Sequence, residues 1–540
     1  MNKSKKLLIF MIVILCVFHW GSQDSYGADK FVIEKGILTS YNGNDEKVII
    51  PKGVKEIAYG VFQSRPEIKE IHIPDGLKKI SPYVFYSNQN LEKVNIPNSV
   101  DFIGDWAFAA CPNLKEITIG NDVSILDEFT FAYSGFEKII FGDKVSEIDP
   151  FAFYGCKNLQ EFEVSEKNIK YSTLDGALTN KMKNELLIYP QGKYLRSYLL
   201  PDQIDTFGTM AFVNSESLYE FIVPEGNNKF TVVDGVLFTK DMTRLVKYPR
   251  ARYDSNYDVP EGVLSIEKGA FAHSNLRTIK LPKSLLMIGD MAFYYARLNE
   301  IEIPDNVLSI GDKSFYRSTI IKAVIGDGVK TIGEEAFYDC NNMTSIKLGK
   351  SIKKIEAGAF NGCAKVNTIN LPDGLEVIGS FAFKSLNIES LIIPDSVVEV
   401  GEFAFQNNYN LKEVNMGSGL KKLNLGLFYY CNSLTEISLP EYLEEIGPSV
   451  FHRSNIKEVD LPETVTTIGD QAFFYSYNID RIYIPKTVVN IGEVPLHGAA
   501  DPDASVSIVV PLKNLTVECD KNSKIYRYVK KEGIKYKIIR

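Results

Sequence analysis

The sequence FNGCAKVNTINLPDGLEVIGSFAF, residues 360 to 383, decides the fold of this 540-residue chain. Units of the same outline run through most of the chain, and each contains an aromatic residue, usually the Phe of Ala-Phe, that serves as a marker. The markers are Phe62, Phe85, Phe108, Phe131, Phe153, Phe212, Phe271, Phe293, Phe315, Phe337, Phe360, Phe383, Phe405, Phe428, Phe451, Phe473 and, in a degraded unit, Leu496. Fourteen of the sixteen intervals are 22 or 23 residues, and the other two are 59. Such regularity predicts stacked units that share one core.

Within a unit, the alternation Ile301-Glu302-Ile303 predicts a short strand, which Pro304 ends. A second apolar pair and a glycine follow, and Ala-Phe opens a brief helical or 3₁₀ turn. We therefore predict a mainly β repeat solenoid. It is a leucine-rich-repeat-like array of 22–23-residue units, each a short strand plus a turn or 3₁₀ helix, with two inserted β-hairpins and terminal caps.

The two long intervals are related to each other. Asp175-Gly176 and Asp234-Gly235 lie 59 residues apart, as do Tyr189-Pro190 and Tyr248-Pro249. In each interval an apolar segment, a polar turn and a second apolar segment lie between these pairs. The pattern predicts β-hairpins inserted at about residues 165–193 and 224–252.

The ends of the chain differ from the array. Lys3, Lys5 and Lys6 precede an apolar run over residues 7–20, which predicts a signal peptide at residues 1–27; an uncleaved anchor is the alternative. Residues 28–50 are expected to form an N-terminal cap, 51–500 the solenoid and 501–540 a C-terminal cap. In that cap we predict a helix over residues 523–531, stopped by Gly533, and a final strand over 534–539.

Charge narrows the class of partner. Removal of residues 1–27 changes the net charge from −8 to −10, which argues against nucleic-acid binding. No second apolar run reaches transmembrane length, so no membrane span is expected in the mature chain. The expected location is outside the cell, either secreted or on the cell surface.

The unit resembles the BspA-type leucine-rich repeat of bacterial surface and secreted proteins. The resemblance rests on signatures such as Ile303-Pro304, Ile310-Gly311 and Phe315, on the Asp-Gly and Tyr-Pro pairs of the inserts, and on Gly-Ile-Lys-Tyr at 533–536; it covers roughly residues 31–540. It implies an exported binding protein, since some members are adhesins for host matrix proteins. The family offers no shared catalytic residues to transfer.

Cysteine and histidine give no pattern of a catalytic or metal site. Five of the six mature cysteines lie three residues after a marker, a position we interpret as a small apolar core site with free thiols: Cys111, Cys156, Cys340, Cys363 and Cys431. A disulfide between Cys340 and Cys363, in consecutive units, is the alternative. No nucleophile, zinc, phosphate-loop or calcium-loop motif occurs, so we expect no enzyme activity and no cofactor.

Two rows of residues remain as binding candidates. The outward strand position varies from unit to unit while its apolar neighbours do not, as expected of a face that is free to bind. The candidates in this strand row are Ile140, Ile222, Lys280, Glu302, Val324, Lys347, Asn370, Ile392 and Tyr483. A second row, directly after consecutive markers, is Tyr294, Tyr316 and Tyr338, which either contact a ligand or shield the turn beneath them.

These observations predict a non-catalytic, adhesin-like binding protein that presents its strand face to a host or matrix protein or a polysaccharide. A passive structural or assembly part of the cell envelope is the alternative. The inserted hairpins are a further candidate for the binding site, because insertions in repeat proteins often carry it.

Overall fold

A computed structural model describes residues 30–213, 215–499 and 509–539. The predicted signal peptide lies outside these residues. The chain forms two compact units, of which the first ends at Ser172 and the second begins at Thr173. The strand Tyr171–Leu174 includes residues of both.

The first unit is a β-solenoid with two strands per repeat. The hairpin strands Phe31–Glu34 and Ile37–Tyr41 begin it, and they pair antiparallel. The longer strands of the repeats, on what we call the long-strand face, are Lys47–Ile49, Glu70–His72, Lys93–Asn95, Glu116–Thr118, Lys138–Phe141 and Glu161–Val164. The two-residue strands, on the short-strand face, are Glu56–Ile57, Lys79–Ile80, Phe102–Ile103, Ile125–Leu126 and Glu147–Ile148.

The second unit repeats this plan over a longer stretch. Its long-strand face contains Ser197–Leu199, Glu220–Ile222, Asn256–Asp258, Thr278–Lys280, Glu300–Ile303, Lys322–Ile325, Ser345–Lys347, Ser390–Ile393, Glu413–Met416, Glu436–Ser438, Glu458–Asp460, Arg481–Tyr483, Thr516–Cys519 and Lys535–Ile538. Its short-strand face contains Thr206–Phe207, Ser265–Ile266, Met287–Ile288, Ser309–Ile310, Thr331–Ile332, Lys354–Ile355, Val377–Ile378, Glu399–Val400, Lys422–Leu423, Glu445–Ile446, Thr467–Ile468 and Asn490–Ile491. Paired strands on both faces run parallel, as in Glu302 opposite Val324 and Val324 opposite Lys347.

The marker side chains stack within the core. From Phe271 to Phe473, the rings of neighbouring units stack with centroids 4.8 to 6.0 Å apart. That spacing is close to the ~4.8 Å separation of hydrogen-bonded strands, so ring stacking and strand pairing share one repeat distance. The solenoid fold predicted from the periodicity is therefore confirmed.

The Ala-Phe segment forms turns, and no 3₁₀ helix occurs among the described residues. Residues with positive φ flank the marker, as Met291 (54°) and Tyr295 (53°) flank Phe293. Such backbone is costly for residues other than glycine. Here both flanking amides donate to the next unit, Met291 to the Asp312 carbonyl at 2.8 Å and Tyr295 to the Tyr316 carbonyl at 2.9 Å. These inter-unit hydrogen bonds hold the strained turn in place.

The two predicted hairpins are present. In the first insert, Ala177–Asn180 pairs antiparallel with Glu185–Ile188. In the second, Val236–Thr239 pairs antiparallel with both Phe230–Val233 and Arg244–Lys247, which makes a three-stranded meander. Arg244–Lys247 then pairs parallel with Ser265–Ile266, so the insert continues the short-strand face.

The predicted C-terminal helix is also present, over Lys524–Glu532. The Ser523 hydroxyl caps its first turn by accepting from the Tyr526 amide, and Gly533 ends it in the left-handed conformation that glycine tolerates. Ile525 and Val529 face the core, and Lys535–Ile538 follows as the predicted last strand. Just before this region, His497–Ala499 and Val509–Pro511 pair antiparallel. No helix in the described part of the chain is long and apolar enough to span a membrane.

One strand expected from the sequence is absent. Residues 367–372, which include Asn370, are not part of any strand. Ile369 is buried and Asn370 is exposed, so the in-and-out alternation of side chains is kept. Alternation requires only extended backbone, whereas a strand requires backbone hydrogen bonds to a neighbour. Within the described residues, this segment forms none with the adjacent units.

Candidate functional site

The strand row lies on the outer side of the long-strand face. Most of its predicted members are exposed, and Ile392 has 68% of its surface open to solvent. The exposed members are Ile222, Lys280, Glu302, Lys347, Asn370 and Ile392, whereas Ile140, Val324 and Tyr483 are partly buried. Ile140 belongs to the first unit, where it lies opposite Thr118 and Glu163. The absent strand at Asn370 divides the row in the second unit.

The tyrosine row is a stacked column. Tyr294 and Tyr316 have ring centroids 5.2 Å apart, and Tyr316 and Tyr338 are 4.9 Å apart, with interplanar angles of 12° and 5°. Tyr294 is buried and the other two are partly buried. Because each ring covers the face of its neighbour, mainly ring edges remain for a ligand. This geometry favours the shielding interpretation of the row.

Arg317 contacts residues beside and within the tyrosine column. Arg317 donates to the Tyr295 hydroxyl at 2.8 Å, forms an ion pair with Asp339 at 3.0 Å and lies 5.5 Å from the centroid of Tyr316. The same side chain thus joins three consecutive units through contacts that a stacked repeat makes possible.

In many units the position three residues after the marker is a hydrogen-bonding site and not merely a small apolar one. Asn88 donates to the carbonyls of Phe62 and Phe85 at 2.8 and 2.9 Å. At the same position, each of five cysteine thiols and two serine hydroxyls donates to the marker carbonyl of the preceding unit: Cys111, Ser134, Cys156, Cys340, Cys363, Cys431 and Ser476. The signal in the sequence was that Cys, Ser and Asn share the ability to donate.

The predicted burial of the cysteines is confirmed, and all six described cysteines are free thiols. Burial raises the pKa of Cys111, Cys156, Cys340 and Cys431 to about 12. These thiols are therefore protonated at neutral pH and serve as donors within the core.

The two inserts share a hydrogen bond from a cationic side chain to a turn carbonyl, which we call the latch. Lys193 Nζ donates to the Asp175 carbonyl, and Arg252 Nη1 donates to the Asp234 carbonyl. Each carbonyl belongs to an Asp-Gly turn with positive φ at both residues, which is 50° and 76° in the first insert and 49° and 74° in the second. A cation at the same offset of 59 residues thus fixes the same turn twice.

The residues next to these latches form a surface that, apart from Ile222, the sequence rows did not include. Arg196 lies 4.8 Å and Arg252 lies 5.8 Å from the ring centroid of Tyr219, so one ring brings the loops of both inserts together. Leu199 and Ile222 lie opposite each other on paired strands of the long-strand face. We call the following residues the insert surface: Tyr194, Arg196, Leu199, Tyr219, Ile222, Arg252 and Tyr253.

A buried lysine anchors the second insert to the solenoid. Lys247 is 4% exposed, and its amine donates to the carbonyls of Thr209 at 3.1 Å and Lys268 at 2.8 Å. Desolvation, aided by the charge of Lys268, lowers its pKa from the ordinary 10.5 to about 7. Its two acceptors come from the repeats before and after the insert.

Two histidines have strongly lowered pKa values. Burial lowers the pKa of His273 to about 3 and that of His452 to about 4, so both are neutral at pH 7. Across the described residues, no three His, Cys, Asp or Glu side chains lie close enough together to hold a metal ion.

The repeat matches the model of the BspA type leucine rich repeat region over residues 39–160, 264–386, 330–443 and 376–498, more than half of the chain. No curated protein is similar enough to count as a match.

Among solved structures, a leucine-rich repeat protein from Bacteroides ovatus is 20% identical, with 95% of this chain and 97% of that chain covered and a TM-score of 0.27. A leucine rich cell surface protein from Faecalibacterium prausnitzii is 19% identical over 90% of this chain and 100% of that one, with a TM-score of 0.27. A leucine rich repeat protein of T. pallidum is 28% identical, covers 31% of this chain and 80% of that one, and has a TM-score of 0.28.

Proposed function

Because the chain belongs to the BspA-type leucine-rich repeat family, we propose that it is a non-catalytic, exported binding protein whose long-strand face holds a macromolecular ligand. The observation that carries the proposal is the contrast between neighbouring strand positions. Leu391 is buried beside the exposed Ile392, and the same alternation recurs with Ile301 and Glu302. Packing fixes the inner positions, while the outer ones vary in charge, size and polarity.

The outer row also contains apolar side chains that the core does not need. Leu199, Ile222 and Ile392 are all exposed on the long-strand face. Exposing such side chains on an otherwise polar face is unfavourable in water, and a bound partner would remove this cost. Secretion or surface display, and a protein or polysaccharide as ligand, complete the proposal.

The test is a binding screen of residues 28–540 against purified matrix proteins and glycans, followed by variants of the strand row. We expect Ile392→Ala or Lys347→Ala to weaken a detected interaction. Val398→Ala is the matched control, because Val398 is similarly exposed but immediately precedes a strand of the short-strand face. The proposal fails when changes along the row leave every detected interaction intact.

One observation favours a second function, assembly within the cell envelope. Lys535–Ile538 is hydrogen-bonded to Thr516–Cys519 on one side, and within the described residues no strand covers its other edge. All four of its side chains are exposed. An open edge can pair with a strand of another copy. Concentration-dependent self-association, abolished by Ile538→Pro, would support this role over ligand binding. The Ile539 amide donates to the Cys519 carbonyl, so the amide of Ile538 points to the open edge.

A further inference from the structure

We propose that the insert surface is the docking site for a protein partner that presents an acidic side chain beside apolar ones. This inference rests on the proposed binding function and names both the site and the class of partner. Four features carry it: open tyrosine rings, fixed loops, an arginine that has no carboxylate partner among the described residues, and a pair of exposed aliphatic side chains.

The two tyrosines of the inserts, Tyr194 and Tyr253, are far more exposed than the tyrosines of the stacked column. Tyr194 is 72% exposed and Tyr253 is 89% exposed. They occupy equivalent positions, 59 residues apart, in the two inserts. Neither ring contacts another aromatic ring in the part of the chain that the structure describes. Both rings therefore keep their faces open, and tyrosine is among the residues that supply most of the binding energy at protein interfaces.

The loops that display these rings are held in place before any ligand arrives. Lys193 and Arg252, each directly before an exposed tyrosine, donate to the turn carbonyls of Asp175 and Asp234. The Gly235 carbonyl accepts from the Phe221 amide at 3.0 Å, which ties the second turn to the long-strand face. Loops that are already ordered lose little conformational entropy on binding.

The charges of the surface select an anionic group. Arg252 is paired with Asp254, and the nearby Arg250 is paired with Glu216. Arg196 is exposed and lies over Tyr219, and among the described residues it has no carboxylate partner. Its guanidinium is thus free to form two parallel hydrogen bonds with a carboxylate of the partner.

The apolar part of the surface favours a protein over a polysaccharide. Leu199 is 61% exposed and Ile222 is 44% exposed, and they face each other across paired strands. Two adjacent aliphatic side chains offer no hydrogen-bond partners to sugar hydroxyls, whereas they complement the aliphatic or aromatic side chains of a protein. Aromatic residues and arginine around such a centre are the composition of protein interfaces.

The experiment selects ligands from a displayed library of random twelve-residue peptides on immobilised residues 28–540, with an array of defined glycans as a parallel arm. Enriched peptides are synthesised and their Kd values are measured by fluorescence polarisation. We expect them to combine Asp or Glu with apolar residues, and we expect about tenfold or greater weakening in Tyr194→Ala, Tyr253→Ala and Arg196→Ala. Raising the salt concentration should also weaken binding.

Matched controls come from elsewhere on the chain. Tyr409 is an exposed tyrosine and Arg297 an exposed arginine outside the insert surface, so Tyr409→Ala and Arg297→Ala should leave the peptide Kd unchanged. Thermal unfolding of every variant shows whether the fold is kept.

The outcomes separate this inference from the proposed function. Peptide binding that is lost in the three insert variants but not in the controls supports both. Binding that depends on Ile392 or Lys347 and not on the insert surface overturns the inference and leaves the proposed function intact. Glycan binding that depends on the two tyrosines, without peptide binding, overturns the choice of a protein partner. If neither arm yields binding that depends on any outer residue, both proposals are wrong.

Discussion

Replacement of Lys247 by methionine should change how the stability of the chain depends on pH. The amine is buried and its pKa lies near 7 in the folded chain, whereas an unfolded lysine has its ordinary value of 10.5. Between these values the unfolded chain holds a proton that the folded chain lacks. Rising pH therefore favours folding, and the cost of burying this lysine is fully present below pH 7.

The size of the effect follows from the separation of the two pKa values. One pH unit within the interval changes the free energy of unfolding by at most about 1.4 kcal/mol. Because the folded-state titration is only half complete at pH 7, we expect a gain of about 2 kcal/mol from pH 7 to pH 9. Lys247→Met removes this titration, and Ile188, at the equivalent position of the first insert, indicates that an apolar side chain fits there.

The assay is urea unfolding followed by far-ultraviolet circular dichroism at several pH values from 6.5 to about 9. The informative quantity is the wild-type free energy of unfolding minus that of Lys247→Met, since all other titrating groups are common to both. Lys240→Met, at an exposed lysine of the same insert, is the control and should follow the wild type. A difference between wild type and Lys247→Met that stays constant across this range would refute the reasoning.

Three further predictions concern the core. Asn88→Ala leaves the carbonyls of Phe62 and Phe85 without their side-chain donor. Urea unfolding should show that the free energy of unfolding falls by about 2–4 kcal/mol, against less than about 0.5 kcal/mol for Asn44→Ala at an exposed position. Equal losses in the two variants would contradict the role of Asn88. Phe315→Ala should lower the free energy of unfolding by about 3–5 kcal/mol, because the ring is buried and stacked on both sides, and an unchanged urea midpoint would speak against the ladder. The six described cysteines should be inert to a thiol-reactive disulfide reagent in the native protein at pH 8 and reactive in urea, since burial raises their pKa; rapid native labelling would show that they are accessible.

The repeat made the fold predictable because packing requires the same residue at the same place in every unit. Phe293, Phe315 and Phe337 can stack only when their spacing is regular, so the spacing itself reports the solenoid. The inserts were predictable for a related reason. Their Asp-Gly turns and Tyr-Pro pairs recur at an offset of 59 residues, which revealed two copies of one device.

The details that the pattern missed depend on contacts between units. Cys363 looks like a small apolar residue in its own unit, and its role appears only when the Phe337 carbonyl lies 3.1 Å from the thiol. Asn370 keeps the alternation of a strand, but strand formation depends on hydrogen bonds to neighbouring units that a single repeat does not encode. The turn around Phe293 likewise needs positive φ at Met291, which local propensity disfavours and inter-unit hydrogen bonds enforce.

The insert surface was the least visible feature of the sequence. The duplication placed Tyr194 and Tyr253 at equivalent positions, and that was a usable signal. The link between the two loops, however, depends on Arg196 and Arg252 meeting at the single ring of Tyr219, which lies between the inserts. Sequence periodicity describes what repeats, whereas this surface is built around a residue that does not.

The donors placed three residues after many of the markers all point in one direction along the array. Ser134 donates to the Phe108 carbonyl and Ser476 donates to the Phe451 carbonyl, so in each case the acceptor belongs to the preceding unit of the chain. A ribosome releases that preceding unit first. The backbone amides beside the marker donate in the opposite direction, as Met291 does to the Asp312 carbonyl, so each unit is fully hydrogen-bonded only after the next one has been synthesised.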